Sequence, residues 1–158
     1  MRQFACACGA PVYFENDLCI NCSSALGYDP LSSDMLTLAD WGDGVYRDVL
    51  SNEYRYCANA EQYAVCNWLR RADSTHSLCF ACQFNRTVPN QDGPENQRRW
   101  LILERAKKRL FYTLAQLNLP LINGWDDIDL TRNHGAAIAA FKHIRSQTAP
   151  WAWPATTD

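Results

Sequence analysis

Eight cysteines fall in two groups of four along the chain. In "CACGAPVYFENDLCINC", Cys6 and Cys8 are one residue apart and Cys19 and Cys22 are two apart, with ten residues between the pairs. The second group is Cys57, Cys66, Cys79 and Cys82, the last two forming another two-residue knuckle in "LCFAC". Thiols at such spacings form disulfides, a redox couple or a metal site, and each choice demands a different fold. Zinc takes four soft donors in a tetrahedron, with sulfur at about 2.3 Å. Two short cysteine pairs on two turns, joined by a hairpin, deliver that arrangement. The intervening "GAPVYFENDL" suits a hairpin: Val12, Tyr13 and Phe14 favour strands, and Asn16-Asp17 favours a turn. Gly9 directly after Cys8 suits a tight turn around an ion, whereas Ser23 after Cys22 stands where ribbons often carry glycine.

The alternatives have less support. The start, "MRQFACACGA", lacks the basic-then-apolar pattern of a secretory leader, so the expected compartment is the cytoplasm, where thiols stay reduced. Cys19-x-x-Cys22 lacks the βαβ context of a redox motif. For the second group the spacing leaves more open. Cys57 and Cys66 have eight residues between them, and they read as ligands or as small buried apolar residues. Pairing across the two groups also stays open.

Composition is that of a folded protein, 47% hydrophobic and 12% aromatic. The formal charge is −2, and two four-thiolate zinc sites would take it to about −6. That balance argues against nonspecific nucleic-acid binding over the whole surface. The uncharged run from Leu110 to Trp125 contains Thr, Gln, Asn, Pro and Gly. It is too short and polar to span a membrane, so no membrane partner is expected.

The segments "CACGAPVYFEN", "LGYDP", "YRYCANA", "CNWL", "LCFACQFNRTVPN" and "PENQRRWLILERAKKRLFYTL", in that order, resemble the N-terminal zinc-ribbon region of a bacterial zinc-binding metallopeptidase family. The resemblance covers roughly residues 4 to 121. It implies that all eight cysteines are zinc ligands and that the chain carries two Zn2+ ions. In that family a catalytic domain follows, with a His-Glu-x-x-His helix whose histidines hold zinc and whose Glu activates water. Here none of His76, His134 and His143 is followed by Glu, and none pairs at the required spacing. The resemblance therefore implies a noncatalytic or truncated relative rather than an enzyme.

Elsewhere, "LSSDMLTLAD" reads as a helical turn capped by Ser32 or Ser33, and "WGDGVYRDV" as a turn leading into an extended segment. "NAEQYAVCNWLRRA" reads as a short helix with Tyr63, Cys66 and Leu69 on one side. Residues 94–118 form the clearest helix, with Pro94 and Glu95 in its first turn and Pro120 after its last. Trp100, Leu103, Leu110, Leu114 and Leu117 make an apolar stripe, and Lys107 snorkels within that arc. Arg98, Arg105 and Arg109 lie opposite, as a solvated face or as a docking surface for nucleic acid or an acidic partner. The tail does not resemble the family, and Asn133 could cap a short helix bearing Ile138, Phe141 and Ile144.

The expected fold is a small α+β protein: zinc-ribbon β-hairpins with two four-cysteine sites, then a long amphipathic helix. The expected divisions are an N-terminal zinc ribbon (1–30), a second four-cysteine zinc-binding segment (31–93), the helix (94–119) and a divergent tail (120–158). The expected function is a zinc-binding structural and interaction module with a protein partner; the alternative is a nucleic-acid-binding ribbon using the basic helix face.

Overall fold

The computed structural model describes residues 2–91 and 93–119. Two antiparallel sheets and two helices make up the described fold. The first sheet pairs β1 (Phe4–Ala5) with β2 (Pro11–Val12). The second has five strands in chain order: β3 (Ala25–Asp29), β4 (Asp34–Gly42), β5 (Val45–Arg47), β6 (Glu53–Tyr56) and β7 (Leu69–Arg71). Helix α1 (Ala58–Tyr63) lies between β6 and β7, and α2 (Pro94–Gln116) follows.

Each hairpin is closed by local chemistry. Asp29 accepts from the backbone N–H groups of Leu31 and Ser32, which turns β3 into β4. Asp43 and Gly44 both adopt positive φ, as a two-residue hairpin turn requires, and the register shifts between Asp40 and Gly42. Asp48 accepts from the backbone of Leu50 and Asn52 and so turns β5 into β6. The expected helical turn at "LSSDMLTLAD" is instead strand β4. Its residues pair with β3 over Asp34 to Leu38, and cross-strand partners decide the matter where local propensity is weak. The extended segment after "WGDG" is β5.

The five-stranded sheet curls until its outer strands meet. Tyr28 and Trp68 form a parallel bridge, and the Tyr28 N–H donates to the Asn67 carbonyl at 2.9 Å. This approach requires glycine at position 27, because a Cβ there would lie 2.5 Å from Leu69 Cδ2. Leu38, Tyr54 and Leu69 pack together on one face of the sheet, with Leu36, Tyr46 and Tyr56 against them.

A second cluster is aromatic and joins three parts of the protein. Phe4 and Phe14 come from the first ribbon, Tyr28 and Trp68 from the curled sheet, and Tyr112 from α2. Ring centroids lie 4.7 Å apart for Phe14 and Tyr28, 4.7 Å for Tyr28 and Trp68, and 5.2 Å for Phe14 and Tyr112. Tilted and edge-on pairs of this kind contribute about 0.5–1.5 kcal/mol each beyond burial.

Helix α2 presents a different face to the protein than its leucines suggest. Trp100, Glu104, Lys108, Phe111 and Tyr112 are buried. Leu103, Leu110 and Leu117 are 65%, 54% and 63% exposed. The stripe read from the sequence thus holds at Trp100 and, half-buried, at Leu114. Lys107 is half-buried through an ion pair with Glu104, not by snorkelling over leucines. Helix α1 is shorter than expected. It stops at Ala64, whose left-handed conformation (φ 53°) turns the chain, so Cys66 lies in a connection and Leu69 on β7. The expected tail helix at Ile138, Phe141 and Ile144 lies outside the described residues. Among the described residues no helix is long and apolar enough to cross a membrane.

Candidate metal centres

The first centre is built on the two turns that the sequence marks. Cys6 and Cys8 sit on the β1–β2 turn, where the Cys6 N–H donates to the Ala10 carbonyl and the Gly9 N–H returns to the Cys6 carbonyl. Gly9 has φ +85°, a conformation glycine adopts without strain. Cys19 and Cys22 sit on a second turn, where the Ser23 N–H bonds the Cys19 carbonyl at 2.8 Å and Ser23 has φ 58°. The sulfurs of Cys6 and Cys22 are 3.6 Å apart, and those of Cys8 and Cys19 are 3.8 Å apart.

The second centre gathers residues far apart in sequence. Cys57 stands at the head of α1, Cys66 in the connection to β7, and Cys79 and Cys82 on a knuckle that runs into a 3-10 turn (Cys82–Phe84). The Cys82 N–H donates to the Cys79 carbonyl, the Cys79 N–H points to Cys57 Sγ at 3.3 Å, and the Trp68 N–H to Cys66 Sγ at 3.4 Å. Cys66 Sγ lies 3.7 Å from the sulfurs of both Cys79 and Cys82. This centre is therefore not a second simple hairpin. Its ligands come from a helix start, a strand approach and a knuckle.

Both sets fit zinc. A sulfur tetrahedron with metal bonds of about 2.3 Å has edges of about 3.8 Å, which the observed separations match. Within each set all four sulfurs lie within 4.8 Å of one another. All eight cysteines are free, so the disulfide reading fails. Cys57 and Cys66 belong to a sulfur cluster and are not merely apolar filling. The sulfur contacts pair Cys22 with Cys6 and Cys19 with Cys8, so Cys19 and Cys22 act in a set of four rather than as a two-thiol couple. The donor sets provide for two Zn2+ per chain.

The surroundings of the two centres differ. In the first, Cys8 and Cys22 are exposed; in the second, Cys57, Cys79 and Cys82 are buried. Polar groups face the first: Asn21 Nδ2 donates to Cys8 Sγ at 3.4 Å, and the Ser24 hydroxyl lies 3.2 Å from Cys22 Sγ. The Ser24 hydroxyl, then its backbone N–H, lowers Cys22 to about 6, and Asn21 likewise lowers Cys8. Cys19 faces the Cys22 backbone N–H, which favours its thiolate, yet burial and the neighbouring thiols push it up to about 11. In the second centre burial opposes charge on Cys66, but hydrogen bonds from Cys57, Cys79 and Cys82 and the nearby Lys108 ammonium bring it well below an ordinary thiol. Burial pushes Cys79 well above. Zinc binding would displace the protons that these thiols carry.

Helix α2 supplies residues that the cysteine spacing did not reveal. Glu104 Oε2 lies 3.6 Å from Cys82 Sγ. Its other oxygen accepts from Trp100 Nε1 at 3.1 Å and Asn85 Nδ2 at 2.9 Å, and Lys107 Nζ is 2.9 Å away. Lys108 Nζ donates to the Val65 carbonyl at 2.9 Å. Burial disfavours the Lys108 charge, but Cys66, Cys82 and Cys79 outweigh it and raise its pKa. The available signal was the shared helical face of Trp100, Glu104, Lys108 and Phe111.

The arginines are placed differently from one another. Arg105 and Arg109 both ion-pair with Glu15, the former at 3.8 Å, and so tie the first ribbon to α2. Arg98 is exposed. The expected free basic face is thus partly engaged within the protein.

Comparison with known proteins agrees with this geometry. An uncharacterised protein of Mycobacterium bovis and uncharacterised proteins from two strains of Mycobacterium tuberculosis are each 33% identical over 138 residues. That stretch is 87% of this chain and 36% of each relative, so the chain spans about a third of their length. No solved structure matches. The model of a zinc-ribbon domain family matches residues 3–93, which hold all eight cysteines. With both sulfur tetrahedra inside that match, the chain belongs to this zinc-ribbon family.

Proposed function

We propose that this chain is a zinc-held structural and interaction module, noncatalytic in itself, of the kind that heads the zinc-ribbon metallopeptidases its sequence resembles. The observation that carries the reading is that each tetrahedron is filled by four cysteines. A hydrolytic zinc keeps one position for water and has a base beside it. Four thiolates leave no such position, and their zinc contributes folding energy. The chain's span of about a third of its relatives supports a module that works beside further structure. Its partner in this reading is a protein.

Peptide hydrolysis is the test. The zinc-loaded chain is expected to show no cleavage of a broad peptide library, with or without added zinc. Cleavage that disappears in a His134→Ala, His143→Ala double variant would overturn the noncatalytic reading. The alternative, nucleic-acid binding through Arg98, Arg105 and Arg109, is weakened by the Glu15 pairs. It predicts binding that falls steeply with salt.

A further inference from the structure

We propose that Lys108 is the charge partner of the second zinc site, so that α2 docks on the ribbon through the loaded metal centre. The family match ends at residue 93, whereas the surroundings of this site continue into α2.

A zinc ion held by four thiolates carries a net charge of about −2. Three of these four sulfurs are on buried residues, so water screens that charge poorly. Glu104, 3% exposed, places a carboxylate against Cys82 and adds to the negative charge. Lys107 pairs with Glu104 and answers that carboxylate. The thiolates themselves are left to Lys108, also 3% exposed, whose ammonium is held at the carbonyl of Val65, the residue directly before Cys66. Its hydrogen bond to the Val65 carbonyl fixes the ammonium next to the Cys66 connection. A buried lysine without a partner charge is costly, so helix and site stabilise each other. Zinc loading strengthens α2 docking, and docking strengthens zinc retention.

Chelator competition on the full-length chain tests this, with the first site as internal control. Lys108→Met keeps most of the stem and removes the charge. It is expected to weaken zinc retention at the second site at least tenfold and leave the first site unchanged. Lys108→Arg should restore most of the loss, and Lys108→Gln, which keeps a donor for Val65, should not. Cobalt loading gives a separate readout: the sulfur-to-cobalt absorption of the second site should shift in Lys108→Met and return in Lys108→Arg. A measurement on the unaltered chain guards against misfolded variants. Amide exchange over residues 100–112 should accelerate when the second site alone loses its metal. Unchanged retention in Lys108→Met, equal weakening of both sites, full rescue by Lys108→Gln, or exchange indifferent to zinc would each overturn the proposal.

Discussion

Single atoms around each sulfur set how the two sites respond to acid and to chelators. Cys22 is held at about 6 chiefly by the Ser24 hydroxyl. A lowered thiol favours the ordered site fully above the ordinary thiol value, and that contribution is lost as pH falls through about 6. Ser24→Ala is therefore expected to weaken zinc retention at the first site most near pH 9 and to matter little once pH falls below about 6, in chelator competition at both ends of that range. Ser23 has φ 58°, which costs a side-chain-bearing residue about 1–2 kcal/mol. Ser23→Gly removes this strain but gains entropy in the unfolded chain, so a net stabilisation of up to about 1 kcal/mol is expected by denaturant unfolding.

Among the secondary-structure elements, α2 shows how a periodic pattern can be assigned to the wrong side. Leu103, Leu110 and Leu117 recur as a core stripe would, yet all three are exposed. The buried face instead has Glu104 and Lys108 among Trp100, Phe111 and Tyr112, because it meets sulfur and charge as well as hydrocarbon. Hydrophobic periodicity counts apolar residues and scores such a face as surface. Stability measurements separate the two faces. Leu110→Ser is expected to change unfolding free energy by less than about 0.5 kcal/mol, as at other exposed sites. Phe111→Ala, which removes the ring packed against Phe80 and Phe84, is expected to cost about 3–5 kcal/mol. The reverse order would put the leucines in the core.

Across the molecule, two metal centres and one aromatic cluster hold parts that are short by themselves. Strands of two residues do not persist alone, so β1 and β2 depend on the first site and on Phe4 and Phe14. Elemental analysis of protein purified without added metal is expected to give two zinc ions per chain. Structural zinc contributes on the order of 10–16 kcal/mol of apparent binding energy in small peptides. Cys22→Ser should therefore accelerate amide exchange over residues 4–28 and affect residues 100–112 less, and Cys79→Ser should do the reverse. Equal effects of the two substitutions would mean a single cooperative unit around both metals.

The first ligand set, the turn at Asp43-Gly44 and the long helix were legible in the residues alone, because they rest on local chemistry, whereas spacing left the second set open. Cysteine spacing, Gly9, Asp43-Gly44 and the Pro94 start each act within a few residues. The same local wording carried the zinc-ribbon resemblance. Contacts between distant residues settled the rest. Strand β4 exists through its pairing with β3, and the curled sheet closes because Gly27 admits Leu69. Arg105 and Arg109 turn from a candidate docking face into partners of Glu15. Lys108 and Glu104 become buried neighbours of sulfur only when α2 lies across the second centre. A charged side chain is buried only where another charge meets it, and here that charge is held by residues remote in the chain.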